Sequence, residues 1–157
     1  MKRILIVEDN HLKLEKLKGF LEEEFNGIEL EERTSYNSAS KEIALNHSNY
    51  DLILLDMSMQ TYDISTEESG GEPEPLAGKN ILKQIYLREI PTKVLVVTMY
   101  ENFVDGTKIA QLDDELKYDY PDNYCGYIFF SHTNLEWATQ LKKAINKLQH
   151  DKNLNTR

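Results

Sequence analysis

Residues 4–10 read Ile4-Leu5-Ile6-Val7-Glu8-Asp9-Asn10. Four apolar residues run without interruption, three of them β-branched, and the run ends in acid. A half-exposed strand would alternate apolar and polar residues. An unbroken run instead predicts a strand buried on both faces, as in a parallel sheet covered by helices. The pattern recurs at Leu52-Ile53-Leu54-Leu55, ending at Asp56, and at Val94-Leu95-Val96-Val97, ending at Thr98. A fourth run, Tyr127-Ile128-Phe129-Phe130, ends at Ser131-His132. A Glu-rich stretch over 28–36 supplies a weaker strand.

Helical patterns separate the runs. Leu14, Leu17, Leu21 and Phe25 fall at spacings of three and four, with Asn10 available as N-cap and Gly27 as terminator. Further helices are expected over 38–46, with Ile43 and Ala44 inward, over 79–89 and over 103–118. A last one starts near Thr133-Asn134 and carries Trp137, Leu141, Ile145 and Leu148 on one face. Strands alternating with helices give an α/β fold: a doubly wound five-stranded parallel sheet with helices on both faces. One domain over 1–150 and a short polar tail over 151–157 are expected.

The chain has 157 residues, with 27 Asp+Glu against 18 Lys+Arg and a formal net charge of −9. Such a surface repels phosphate backbones and anionic lipids, so neither nucleic acid nor membrane is an expected partner. The single Cys125 excludes a disulfide framework and a Cys-rich zinc site. His11, His47, His132 and His150 show no metal-ligand spacing. No stretch reaches the ~18 apolar residues of a membrane span. The first apolar run is too short for a signal peptide, so a cytoplasmic location is expected.

Residues 57–78 form an unusually long connection. It holds no Lys or Arg, but it holds Asp63, Glu67, Glu68, Glu72 and Glu74, interrupted by Gly70, Gly71, Pro73 and Pro75. Connections of this length in compact domains are disordered or functional, so this one reads as a disordered insertion or a docking or lid loop.

Ligands of open parallel sheets bind outside the carboxyl ends of the strands. Glu8 and Asp9 follow the first run, Asp56 the second, and Thr98 ends the third, so a doubly wound sheet brings them to one rim. Three carboxylates repel one another unless a hard cation joins them, and Mg²⁺ prefers oxygen ligands; the Met57 carbonyl is a further candidate ligand. A carboxylate beside Mg²⁺ can attack phosphorus, and the Thr98 hydroxyl can donate to a phosphoryl oxygen.

Ile4 to Asn10, Asp51 to Met59 (DLILLDMSM), Gly78 to Ile85 (GKNILKQI), Val94 to Thr98 and Gly126 to Phe130 (GYIFF) together resemble the receiver domain of two-component response regulators. The resemblance extends to about Leu148 and implies the receiver, or flavodoxin-like, sheet. It implies that Glu8 and Asp9 are the Mg²⁺-binding acidic pair and that Asp56 is the phosphoacceptor, with the Met57 carbonyl as metal ligand. It implies Thr98 as the switch hydroxyl and Tyr127 as the aromatic that reorients on activation. Implied partners are a histidine kinase or phosphotransfer protein and a separate effector protein.

The chain departs from the family at three places. The lysine that follows the fifth strand's apolar run, and that pairs with the phosphoryl group, is Phe130 here. No Lys or Arg lies between Lys117 and Lys142, and His132 is the nearest substitute. The usual proline four residues after the acceptor is Gln60. Gly78 follows Asp56 by 22 residues, a much wider gap than usual.

Two readings follow. One is a stand-alone phosphoreceiver whose signal passes through Thr98 and Tyr127 to the face of the fourth helix, fifth strand and fifth helix. The other is a pseudo-receiver interaction module that works without phosphorylation. Enzymatic hydrolysis is disfavoured. Ser58 stands where phosphatases with an Asp nucleophile carry a second Asp, there is no Gly-rich phosphate loop, and Cys125 lacks a basic neighbour. Glu8 and Asp9 would also repel the phosphate of a flavodoxin-type cofactor. Lys142, Lys143 and Lys147 on the last helix are candidate partner contacts.

Overall fold

The computed structural model describes residues 1–63, 70–71, 73–74, 76–102 and 106–155. Glu67, Glu68, Glu72, Pro75 and the expected helix start at Phe103 lie outside these residues. The three unbroken runs become central strands: β1 (Arg3–Val7), β3 (Leu52–Leu55) and β6 (Lys93–Thr98). With β2 (Glu29–Arg33) and β7 (Tyr124–Phe129) they form one parallel sheet in the order β2-β1-β3-β6-β7. Among the described residues five α-helices cover it: α1 (His11–Glu24), α2 (Tyr36–Asn46), α3 (Ala77–Leu87), α4 (Ile109–Asp119) and α5 (Glu136–Asn155).

Burial explains the continuous runs. Leu5, Val7, Ile53, Leu55, Val94 and Val96 pack with Ala39, Ile43, Ile81, Leu82, Ile85, Leu112 and Leu116 under α2, α3 and α4. The alternate residues Ile4, Ile6, Leu52, Leu54, Leu95 and Val97 pack with Leu14, Leu17, Leu21, Trp137, Leu141 and Ile145 under α1 and α5. Every residue of the runs Ile4–Val7, Leu52–Leu55 and Val94–Val97 therefore needs an apolar side chain.

Several boundaries differ from the sequence reading. Strand β7 begins at Tyr124 rather than Tyr127, because Gly126 takes φ +111° at a register shift opposite Val94–Val96 and carries the edge strand through it. Helix α2 begins at Tyr36, where Ser35 caps it by accepting from Ser38 N–H. Helix α5 runs on to Asn155, through the expected tail, and Lys152 pairs with Asp51 at 2.7 Å. Among the described residues no helix is long and apolar enough to cross a membrane.

The long connection leaves and returns as a small antiparallel hairpin, β4 (Met59–Gln60) with β5 (Pro73–Glu74). Tyr62 N–H donates to the Gly70 carbonyl at 2.9 Å. The Asp63 carboxylate accepts from the Thr34 and Ser38 hydroxyls, so the base of the hairpin is tied to the start of α2. Beyond the hairpin, Gly78 N–H donates to the Met57 carbonyl at 3.0 Å. The start of α3 thus meets the end of β3 despite the residues inserted between them.

Asn10 fixes the start of α1 by accepting from Lys13 N–H at 2.9 Å. Asn10→Ala should cost about 1 kcal/mol, read as a lower urea midpoint at unchanged slope.

Candidate functional site

The carboxyl ends of β1 and β3 set Glu8, Asp9 and Asp56 side by side, with one carboxylate oxygen of each within 4.8 Å of the others. Parallel pairing causes this, since Val7 lies opposite Leu55 and the acids follow directly. Asp56 N–H donates to the Val7 carbonyl, holding the two strand ends together. The acids open into a cavity of about 270 Å³ lined also by Asn10, Lys13, Ser58, Met99 and Tyr100. Glu8 and Asp56 are buried, whereas Asp9 is partly exposed and accepts from Gln60 N–H at 3.0 Å. The inserted hairpin is thereby joined to the acidic pair.

Lys13 is the residue that the sequence reading passed over. It is only 1% exposed, and its ammonium lies 2.5 Å from Glu8 Oε2, 3.4 Å from Asp56 Oδ1 and 2.6 Å from the Val97 carbonyl. A signal was available. Lys13 sits four residues before Leu17 on the inward stripe of α1, a position where a solvated lysine is not expected.

Electrostatics follow from this packing. Burial, reinforced by the charge of Asp56, pushes the Glu8 carboxyl up to about 8 against the opposing pull of Lys13. Burial also raises Asp56, with Lys13 opposing and Asp9 adding to the rise. For Lys13, burial works against the charge, but Asp56 and Glu8 outweigh it and hold the ammonium above the ordinary lysine range.

The remaining expected site residues are placed as follows. The Met57 carbonyl is engaged by Gly78 N–H and its side chain is fully buried, while the neighbouring Ser58 lines the cavity. Thr98 is buried at the end of β6, and its hydroxyl accepts from Tyr100 N–H at 3.2 Å. Tyr127 is half-buried against the core under α4. Phe130 is buried, its ring centroid 4.8 Å from that of Trp137 and 6.0 Å from the Lys13 ammonium. His132 is exposed and lies beside Lys16, its Nδ1 3.0 Å from the Lys16 ammonium, so it does not replace a lysine at the acids. Lys142 pairs with Glu24, whereas Lys143 and Lys147 are exposed.

Over 151 residues the chain is 32% identical to the Detocs response regulatory protein DtcB of Enterobacter cloacae, spanning 93% of this chain and 99% of that protein. The chain belongs to the response-regulator receiver family. This receiver is also 30% identical over 148 residues to the uncharacterized protein y4jR of Sinorhizobium fredii, covering 90% of this chain and 95% of that one. No protein-family profile matches it.

Among solved structures, the receiver domain of Francisella response regulator 1452 superposes with a TM-score of 0.65 at 21% identity, over 97% of this chain and 99% of that one. The Thermotoga maritima response regulator TrrA, solved in complex with Mg²⁺ and BeF, superposes with a TM-score of 0.57 at 24% identity, over 94% and 99%. Both likenesses show the receiver fold. The protein is thus a two-component signalling receiver and not a conventional enzyme, and membership implies a kinase partner.

Proposed function

We propose that this receiver accepts a phosphoryl group on Asp56 with Mg²⁺ bound beside it, and that it then signals by binding a separate effector protein. The juxtaposition of Glu8, Asp9 and Asp56 at the strand ends carries the reading. These oxygens are hard donors suited to Mg²⁺, which supplies charge neutralisation for an entering phosphoryl group when bound. With all three carboxylates ionised, they and one ammonium carry a formal charge of −2, which a divalent ion matches. Glu8, Asp9 and Asp56 would hold it, with Ser58 the adjoining residue that faces the cavity.

With acetyl phosphate as donor, an Asp56 carboxylate oxygen attacks phosphorus. The phosphorus–oxygen bond to the acetyl group breaks, and acetate leaves with the electron pair. In cells the donor would be a cytoplasmic histidine kinase or phosphotransfer protein. Thr98 and Tyr127 are the proposed switch residues, coupling the site to the face formed by α4, β7 and α5.

One observation favours a second reading. Lys13 already ion-pairs Glu8 and Asp56, so the acids are partly neutralised without phosphate or metal, as a constitutive interaction module would require. Incubation with acetyl phosphate and Mg²⁺ separates the two. The wild type should gain one acid-labile phosphoryl group, seen as about 80 Da by intact mass, and Asp56→Asn should gain none. A wild type that stays unmodified, while a known receiver is labelled in parallel, would leave the pseudo-receiver reading in its place.

A further inference from the structure

Phosphorylation would replace the single negative charge of the Asp56 carboxylate with the two of a phosphoryl group, in a cavity also lined by the carboxylates of Glu8 and Asp9. Something cationic must face it there. Among the described residues, Lys13 is the only Lys or Arg that lines this cavity. It reaches the acids from α1, on the side of the sheet covered by α1 and α5, with the Val97 carbonyl at the end of β6 as its backbone anchor.

The residue after β7 contributes no cation. Phe130 N–H donates to the Thr98 carbonyl, and its ring turns into the core against Trp137. That ring borders the Lys13 ammonium at the outer limit of a cation–π contact. The aromatic at 130 and the buried lysine at 13 are therefore neighbours, and of the two only Lys13 lines the cavity.

We propose that Lys13 is the phosphoryl-binding cation of this receiver: its ammonium donates to the phosphoryl oxygens of phospho-Asp56. This deepens the proposed function and rests on it.

The geometry suits an exchange of partners. An ammonium has three donors. Two are engaged at short range by Glu8 Oε2 and the Val97 carbonyl. The contact to Asp56 Oδ1, at 3.4 Å, is longer than a good charged hydrogen bond. A phosphoryl oxygen extending from Asp56 into the cavity offers that third donor a closer acceptor, without loss of the two anchors. Lysine also suits the task as a compact point charge on a flexible stem. A lysine that merely pinned the acids would make the same resting contacts, so the test must read the phosphoryl state itself.

Wild type, Lys13→Met and the double variant Lys13→Met/Phe130→Lys are incubated with acetyl phosphate and Mg²⁺, and labelling rates are read by intact mass. Loss of one charge-assisted contact predicts a roughly 10- to 100-fold slower Lys13→Met. The double variant, with its ammonium supplied from β7's end, should recover a substantial part of the rate. In parallel, the lysine ammonium resonances of the ¹⁵N-labelled wild type are followed as Mg²⁺ and beryllofluoride are added. Trp137, the single tryptophan, reports binding by fluorescence. One slowly exchanging, buried ammonium resonance should shift at saturation.

Folded Lys13→Met that labels within about threefold of wild type overturns the assignment. So does an ammonium resonance that does not move while Trp137 reports saturation. If Lys13→Met does not fold, the wild-type resonance alone decides. An unlabelled wild type that also fails to bind beryllofluoride overturns the phosphoreceiver reading and this assignment with it. That outcome is distinct from a labelled wild type that is indifferent to residue 13.

Discussion

Gly78→Ala is expected to lower stability by about 2–3 kcal/mol and to abolish labelling at Asp56. A Cβ at residue 78 would lie 2.6 Å from the Asp56 carbonyl oxygen, 2.6 Å from Met57 Cε and 3.0 Å from Met57 Cα. The thioether end of Met57 can swing aside. The Asp56 carbonyl cannot, because its residue is held in register by its N–H to the Val7 carbonyl. Gly78 N–H also donates to the Met57 carbonyl, so α3 and β3 are joined at the very point of the clash. The strain must then be relieved by moving α3 or the backbone of Asp56, and either displaces the carboxylate from Glu8 and Asp9.

Gly19→Ala is the control. Gly19 lies within α1 with nothing within 4 Å of its Cβ position, so alanine there should stabilise by up to about 1 kcal/mol through helix propensity alone. Urea unfolding of the two variants should therefore move in opposite directions. Gly78→Ala as stable as Gly19→Ala would mean that α3 does not bear on the acceptor strand. The comparison also bears on the insertion. If Gly78 is this sensitive, the 22-residue separation from Asp56 leaves the junction of β3 and α3 intact, with the pairing of β4 and β5 between them.

The central sheet was legible because burial on two faces imposes an unbroken apolar run, and Ile4–Val7, Leu52–Leu55 and Val94–Val97 carry one. Strand β7 lies at the edge with mixed burial, so its first residues, Tyr124-Cys125-Gly126, carry no such signature and its start was misplaced. The acids were legible for a topological reason. Residues just past buried parallel strands must share a rim, whatever the intervening sequence. Lys13 was not, because its partner Asp56 is 43 positions away and a lysine is by default a solvated residue. Its only local mark is its phase on the α1 stripe, one turn before Leu17. The Met57 carbonyl illustrates the opposite limit: sequence places it beside Asp56, but only the packing of α3 reveals that Gly78 engages it.

The second large effect is on pH dependence. Without divalent cation, stability should peak near pH 5 and fall by an amount on the order of a few kcal/mol by pH 8. In the unfolded chain Glu8 titrates at its ordinary 4.5, whereas burial and Asp56 push it up to about 8 in the fold. Between those values the native state retains a proton that the unfolded state has released. Stability therefore decreases as pH rises through the window, and Asp56, also raised, acts in the same direction. Lys13 is raised above 10.5, so its contribution is fully present throughout this range and lost only at higher pH. The acid limb has a different origin. Asp51, hydrogen-bonded to Lys152 and to the N–H groups of Lys2 and Arg3, is lowered to about 2 although burial opposes this. Glu42 is lowered, chiefly by the hydrogen bond from Tyr50. Their contributions are present above about pH 4 and lost below it.

Added Mg²⁺ should remove most of the alkaline fall, because a cation at the acids favours their ionised form and binding releases the retained proton. Its stabilisation should consequently be larger at pH 8 than at pH 5. Glu8→Gln should flatten the alkaline limb in metal-free buffer and reduce the response to Mg²⁺. Melting temperatures across pH 4 to 9, with EDTA or with Mg²⁺, decide the matter. Stability that is level or rising from pH 5 to pH 8 in metal-free wild type would show that Lys13 alone suffices to keep Glu8 and Asp56 ionised. The acids would then form a closed ion-paired cluster with little electrostatic demand for a second cation.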